Sequence, residues 1–189
     1  MGGPLEQEIK LRFDDAAAAR AAVLATGATP VRGRRLQDDR LYDTSDGSLV
    51  RERSTLRVRA DGPLSILTFK GPVQPGPVKT REELETSAAD GGMLHQILAR
   101  LGFQVWFRYQ KYREEFTCGG LVIAVDETPV GTFVEIEGPE AGILAMAAAM
   151  GKTTSDFILD SYYRLFVKCR DALGFRGTDM IFDDLDREL

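Results

Sequence analysis

Apolar and charged residues alternate at every second position along much of the chain, a pattern typical of half-buried β-strands. In residues 5–13 one face is mainly apolar and the other carries Glu6, Glu8, Lys10 and Arg12. Similar stretches follow at residues 30–43, 55–60, 64–71, 80–87, 103–117, 121–126 and 132–138. The pattern therefore predicts roughly eight strands.

Four other stretches have helical patterns. Asp14 and Asp15 are suited to cap an alanine-rich helix that ends near residue 26. The other predicted helices span residues 91–100, 140–150 and 155–173. In the last of these, the apolar positions are predicted to pack on the outside of the sheet, namely Phe157, Leu165 and Phe166.

The charged strand faces restrict the architecture. Matched arginines and glutamates are unusual on a solvent-facing sheet, and unpaired ions in a dry core cost several kcal/mol. A closed barrel accommodates them, with charged faces lining a wet tunnel and helices covering the apolar faces. We therefore predict an α+β, mainly β fold: an eight-stranded antiparallel closed β-barrel with a polar charged interior and helices packed outside.

Length and composition favour one domain over residues 1–189, with a packed core at about 5–173 and an acidic tail at 174–189. The net charge of −5 argues against a nucleic-acid-coating role, which needs clustered cations. No apolar run has membrane-spanning length, and the N-terminus does not resemble a signal peptide. The two cysteines have no metal-site spacing, so we expect a cytoplasmic protein.

The charged faces fall into two chemical groups. Arginine and lysine side chains converging on one cavity suit a polyanion such as a phosphate chain, and the candidates are Lys10, Arg12, Arg57, Arg59, Lys70, Arg81, Lys111 and Arg113. The inward carboxylates are Glu6, Glu8, Asp39, Glu83, Glu85, Asp126, Glu135 and Glu137. Hard cations such as Mg²⁺ or Mn²⁺ prefer carboxylate oxygens, and the pairs Glu6/Glu8 and Glu135/Glu137 are the predicted ligands.

The ordered motifs resemble the CYTH superfamily of triphosphate tunnel metalloenzymes. Glu6-x-Glu8-x-Lys10 is similar to the family's ExExK signature, and the later motifs follow in order at residues 56–59, 69–72, 81–85, 111–113, 125–126, 131–137 and 161–163. The family includes class IV adenylate cyclases, thiamine triphosphatases and inorganic tripolyphosphatases. The resemblance extends from residue 5 to about residue 168.

The resemblance implies that a metal-activated water attacks a triphosphate inside the tunnel. Lys10, Arg57, Arg59, Lys70 and Arg113 would grip the phosphates. Arg81 and Lys111 are further phosphate-binding candidates from the strand faces, and for Arg81 a structural role is equally open. Lys70 is also the implied catalytic lysine. Mg²⁺ or Mn²⁺ would be held by Glu6, Glu8, Glu135 and Glu137, while Asp39, Glu83, Glu85 and Asp126 are predicted to orient arginines or to contact metal.

Two positions depart from the family pattern. Leu41 stands where the hydrolytic members have a catalytic tyrosine, while Tyr42 is expected to point outward. Asp160 stands where members often have a lysine. Three functions therefore stay open: a metal-dependent triphosphatase, an adenylate cyclase that makes cyclic AMP, and a non-catalytic polyphosphate-binding module. The expected partner is a small-molecule triphosphate, with no nucleic acid or membrane, and a homodimer is not decided by the sequence.

Overall fold

The computed structural model describes residues 3–182 and shows a closed antiparallel β-barrel. The strands are β1 (Leu5–Phe13), β2 (Thr29–Thr44), β3 (Thr55–Asp61), β4 (Leu64–Lys70), β5 (Lys79–Ala88), β6 (Phe103–Cys118), β7 (Leu121–Thr128) and β8 (Gly131–Glu137). Their order around the barrel is β1-β5-β4-β3-β2-β6-β7-β8, and β8 pairs back with β1. The strand number and the barrel predicted from alternation are confirmed.

Within the described residues the barrel is accompanied by five α-helices: α1 (Ala16–Ala25), α2 (Ser48–Arg51), α3 (Gly91–Arg100), α4 (Glu140–Ala149) and α5 (Tyr162–Cys169). The carboxylate of Asp15 caps α1 by accepting a hydrogen bond of 2.8 Å from the amide of Ala18. The short helix α2 was not predicted from the sequence. No helix within residues 3–182 is long and apolar enough to cross a bilayer.

The outward faces of β1, β7 and β8 form the larger apolar core. Their buried residues, such as Ile9, Ile123 and Ile136, pack against Val23 of α1 and Ile143 of α4. The charged residues of the same strands alternate with these positions and therefore point into the barrel. This alternation makes the interior polar.

The helix predicted at residues 155–173 is shorter in the structure. A single 3₁₀ turn, Thr154–Asp156, is followed by extended backbone up to α5. Ile158 exchanges two backbone hydrogen bonds, of 3.1 and 2.9 Å, with Lys10 of β1. Because this pairing requires an extended backbone, the helix begins only after Ser161, whose hydroxyl caps it by accepting from the amide of Arg164 at 3.3 Å.

Helix α5 closes one end of the barrel. Its residues Leu165 and Phe166 form a buried cluster with Phe133, which lies on the inward face of β8 together with Glu135 and Glu137. The predicted packing of Leu165 and Phe166 on the outside is therefore wrong, whereas Phe157 does pack against the outer core. We call the group Leu41, Phe107, Tyr109, Phe133, Tyr162, Leu165 and Phe166 the apolar plug.

The described part of the C-terminal tail packs against β6. Met180 donates a backbone hydrogen bond of 3.0 Å to Arg108 and accepts one of 2.9 Å from Gln110. Phe175 and Met180 are both buried in the core. The packed chain thus extends beyond the boundary expected at residue 173, and residues 183–189 of the predicted tail lie outside the described part.

Candidate active site

The barrel encloses a polar cavity of about 310 Å³. Its cationic lining residues are Lys10, Arg57, Arg59, Lys70, Lys79, Arg81, Lys111 and Arg113. Its anionic lining residues are Glu6, Glu8, Glu83, Glu85, Glu115, Glu135 and Glu137, and the neutral ones are Tyr109, Val122, Ser161 and Tyr162. With eight cations against seven carboxylates, the lining is close to neutral.

Strand pairing brings these charges from distant parts of the sequence into contact. Glu8 of β1 is paired with Lys79 of β5 on one side and with Glu137 of β8 on the other. Two residues further along β1, on the same face, Lys10 is paired with Glu135. The antiparallel register therefore determines which carboxylate meets which cation.

Two aspartates lie behind the arginines and lysines of the cavity. Asp126, which is fully buried, accepts hydrogen bonds from Lys111 at 2.8 Å and from Arg113 at 2.6 Å. Asp39, also fully buried, accepts a hydrogen bond of 2.9 Å from Arg59. Neither aspartate lines the cavity, so both orient cations from behind.

Glu135 lies deep in the cavity among three cations. It forms ion pairs with Lys10 at 3.2 Å and Lys111 at 3.9 Å, and Arg113 donates a hydrogen bond to it. Burial by itself raises the pKa of Glu135, but attraction to Lys111, Lys10 and Arg113 outweighs burial and holds the pKa well below its ordinary value. This carboxylate is therefore ionised and fully paired.

Glu137 lies at the exposed end of the tunnel, in a different electrostatic environment. Within residues 3–182, no lysine or arginine forms an ion pair with it. Water reaches this carboxyl, but the protein surrounds much of it. This burial is the main cause that raises the pKa of Glu137 to about 7, and repulsion from Glu6 is the second cause.

Lys70 connects the neighbouring carboxylates at this end of the cavity. Its ammonium group donates to both oxygens of Glu6, at 2.7 and 2.8 Å, and forms an ion pair of 2.9 Å with Glu83. Thr68 lies two residues before Lys70 on β4, and its hydroxyl accepts a hydrogen bond of 3.0 Å from Arg57. Lys70 is thus fixed between two carboxylates, and Arg57 lies on the neighbouring strand.

The chemistry of the donor set fits a divalent cation bound jointly with substrate. Within residues 3–182, no three acidic, histidine or cysteine side chains converge to hold a metal by themselves. However, Mg²⁺ is commonly held by one or two carboxylates together with substrate phosphates and water. Glu137, with its raised pKa, and the adjacent Glu6 form such a pair, because a cation between them would relieve their repulsion.

The structure places all seven predicted phosphate-binding cations on the cavity wall. The four predicted metal ligands (Glu6, Glu8, Glu135 and Glu137) also line the cavity, and so do Glu83 and Glu85. Arg12 is the exception among the inward cations expected from the sequence: it stacks over Phe133, with 4.8 Å from its guanidinium carbon to the ring centroid, and does not line the cavity.

Sequence reasoning missed several cavity residues, among them Lys79 and Tyr109. Lys79 lies one position before the predicted start of β5, and the alternation of Arg81, Glu83 and Glu85 extended backwards would have included it. Tyr109 lies on the same face of β6 as Lys111 and Arg113, which is the signal that could have identified it.

The positions that depart from the family pattern do not line the cavity. Leu41 is buried in the apolar plug. Tyr42 points outward, as expected, where its hydroxyl hydrogen-bonds to His95. Asp160 forms a surface ion pair of 2.5 Å with Lys168.

The CYTH domain family model matches residues 4–153. A protein of Methanocaldococcus jannaschii, named as a candidate adenylate cyclase, is 28% identical over 134 residues, which cover 70% of this chain and 76% of that protein.

Solved structures have the same fold. A candidate adenylate cyclase from Vibrio parahaemolyticus superposes with a TM-score of 0.77 at 21% identity, covering 87% of this chain and 99% of that one. A Hippeastrum protein, described as a candidate adenylyl cyclase with a dominant triphosphatase activity, superposes with a TM-score of 0.60 at 17% identity, covering 87% and 95%. At these identities the similarity shows the barrel fold alone.

Proposed function

Because the chain belongs to the CYTH domain family, we propose that it hydrolyses a small triphosphate inside the charged tunnel with the help of a divalent cation. The substrate class is inorganic tripolyphosphate or a small organic triphosphate. The observation that carries this proposal is the convergence of eight cationic side chains on one cavity of about 310 Å³. Such a lining matches the oxygens of a compact polyanion.

The charge balance of the lining supports the requirement for a metal ion. Since seven carboxylates accompany the eight cations, a bare triphosphate would meet nearly as much negative as positive charge. Mg²⁺ or Mn²⁺, held by Glu6, Glu137 and phosphate oxygens, would neutralise part of the phosphate charge and polarise the phosphorus centre. Burial raises the pKa of Glu8 and Glu135, but attraction to lysines and arginines outweighs burial and holds each pKa well below the ordinary value, so these two carboxylates are assigned to balancing charge.

The deep cations position the phosphate chain. Arg57 and Arg59 are held by Asp39, and Lys111 and Arg113 are held by Asp126, so their donors are oriented before the substrate arrives. Oriented cations of this kind stabilise the charge on a transferring phosphoryl group without reorganising during the reaction.

Lys70 is assigned to orienting the attacking water. Its ammonium group lies between Glu6 and Glu83 at the carboxylate-rich end of the cavity. In the proposed reaction the water oxygen forms a bond to the terminal phosphorus, the bridging P–O bond breaks, and the water proton passes to solvent through these carboxylates. Orthophosphate is one product, and the shortened phosphate chain is the other.

An adenylate cyclase is the second candidate, and the name of the Methanocaldococcus jannaschii relative favours it. In that reaction the ribose 3′-oxygen would displace pyrophosphate from ATP in the same tunnel. A non-catalytic polyphosphate-binding module is the third candidate, and the presence of Leu41 in the apolar plug favours it, because no catalytic hydroxyl stands at that position.

One substrate panel separates the three candidates. The purified protein is incubated with tripolyphosphate, thiamine triphosphate or ATP, each with Mg²⁺ or Mn²⁺, and orthophosphate, pyrophosphate and cyclic AMP are measured. Orthophosphate release is the expected result. Pyrophosphate with cyclic AMP from ATP would replace the proposal with a cyclase, and tight binding without turnover would replace it with a binding module.

A further inference from the structure

Tyr109 lies at the closed end of the cavity, where the charged lining meets the apolar plug. It belongs to the plug and also lines the cavity. Its ring packs against Phe107, with 5.7 Å between the ring centroids, and against Tyr162, with 5.8 Å. The backbone of Tyr109 also pairs with Met180 of the C-terminal tail. These contacts fix the position of the Tyr109 hydroxyl.

The hydroxyl of Tyr109 lies among charged side chains. Tyr109 is paired with Asp39 across the interface of β6 and β2. The guanidinium group of Arg57 interacts with the phenol oxygen, to which it can only donate. Burial, followed by the negative charge of Asp39, raises the pKa of Tyr109 above its ordinary value. The hydroxyl therefore keeps its hydrogen at neutral pH.

The neighbouring carboxylate does not accept this hydrogen. One oxygen of Asp39 accepts a hydrogen bond of 2.9 Å from Arg59, and the other has no hydrogen-bond partner within residues 3–182. The second tyrosine of the lining differs, because Tyr162 donates its hydroxyl hydrogen to Asp126 at 2.7 Å. Of these two lining tyrosines, Tyr109 is thus the one whose hydrogen is not taken by a carboxylate.

We propose that Tyr109 contacts the substrate, and that its hydroxyl donates a hydrogen bond to the phosphate group bound deepest in the tunnel. This inference rests on the proposed function, because it presupposes a triphosphate in the cavity. It extends that function by assigning a neutral donor to the closed end, in addition to the cations already described.

The physical basis is the pairing of a guanidinium group with a hydroxyl. Arg57, which lies 3.4 Å from Asp39, is held in place beside the phenol oxygen. A donor that itself receives a hydrogen bond is polarised, and its own hydrogen bond becomes stronger. A phosphate oxygen at the closed end would then accept from Arg57 and from Tyr109 together. The hydroxyl provides this contact without adding charge to a lining that is already close to neutral.

The first test measures binding by isothermal titration calorimetry. The ligand is a methylene-bridged triphosphate with Mn²⁺, because its P–C–P links resist hydrolysis. Tyr109→Phe keeps the ring and removes the hydroxyl, so it should bind about 10- to 100-fold more weakly, as expected for the loss of one hydrogen bond to a charged group. Tyr112→Phe is the matched control. Tyr112 lies on the same strand, does not line the cavity and stacks under Arg34, so its variant should bind like the unaltered protein.

A second test separates direct contact from an indirect effect through Arg57. The unaltered protein is labelled with ¹³C at tyrosine Cζ, and the signals of its five tyrosines are assigned from single Tyr→Phe variants, the last by elimination. The ligand should shift the Tyr109 signal and slow the hydrogen exchange of its hydroxyl, which separates the H and D forms of that signal in mixed H₂O and D₂O. The signal of Tyr112 should not change.

The outcomes distinguish this inference from the proposed function. If the unaltered protein binds the analogue and Tyr109→Phe binds it equally well, the inference alone is overturned. A Tyr109 signal that the bound ligand leaves unchanged overturns it too, and this measurement decides the matter should Tyr109→Phe not fold. If the unaltered protein does not bind the analogue, the proposed function fails together with the inference.

Discussion

Glu135 and Glu137 belong to one short motif on β8, yet the barrel gives them opposite environments. Glu135 contacts Lys10, Lys111 and Arg113, and its pKa lies well below the ordinary value. Glu137, two residues along the same face, has a pKa raised to about 7. The comparison shows that a Glu-x-Glu motif specifies where two carboxylates lie. The cations contributed by other strands determine the pKa of each carboxylate and whether it is already paired.

The largest expected difference between the two carboxylates is in metal binding. Glu137→Gln should raise the Mn²⁺ concentration needed for half-maximal turnover by about 100-fold, because it removes a proposed ligand. Initial rates at a series of Mn²⁺ concentrations measure this. Glu127→Gln is the matched control, since Glu127 pairs with Arg34 outside the cavity. An unchanged Mn²⁺ dependence in Glu137→Gln would refute the assignment of Glu137 to the metal.

The next difference is in stability. Glu135→Gln should lower the free energy of unfolding by about 3 kcal/mol, because it leaves buried cations without their shared carboxylate. Glu137→Gln should change that free energy by less than about 1 kcal/mol, since no ion pair is lost. Urea unfolding at neutral pH with a chelator measures both. Equal losses in the two variants would show that the ion pairs of Glu135 contribute little.

A smaller effect concerns the dependence of stability on pH. Because the folded-state pKa of Glu137 lies above its unfolded value, its contribution to stability is complete below pH 4.5 and is lost as the pH rises through about 7. The free energy of unfolding of the metal-free protein, relative to that of Glu137→Gln, should therefore decrease as the pH rises from 4.5 to about 7. Solvent exposure of Glu137 reduces the size of this change. A relative stability that rises with pH would contradict the raised pKa.

The smallest effect distinguishes the two carboxyls by salt screening. Raising the ionic strength from about 0.1 M to about 1 M shortens the screening length from about 10 Å to about 3 Å. The pKa of the exposed Glu137 should move toward its ordinary value, while that of Glu135 should change less. Carbon-detected NMR titration of labelled glutamate side chains measures both, and equal shifts would mean that water reaches both carboxyls alike.

The sequence predicted much of the barrel because alternation is a local property of each strand. Lys10, Arg57 and Arg113 could be placed on inward faces without knowing their neighbours. The missed Lys79 reflects an uncertain strand boundary, because its alternation with Arg81 continues through the first residue of β5.

Other features depend on contacts between distant segments and could not be obtained from local patterns. The pairing of Ile158 with Lys10 interrupts a stretch that otherwise has helical character. The insertion of Phe166 into the end of the barrel depends on the inward position of Phe133, thirty-three residues earlier in the chain. Likewise, nothing within the Glu135-x-Glu137 motif indicates which of the two will meet the lysines.

The apolar plug affects how ligands enter and leave the cavity. With Phe107, Phe133 and Tyr162 closing one end, the barrel is a dead-end passage in which binding and departure use a single mouth. In the proposed hydrolysis, the product nearer the Glu137 mouth would therefore leave first. The deeper product would block the passage to the next substrate molecule, so the closed end would set the order of product release and the pattern of product inhibition.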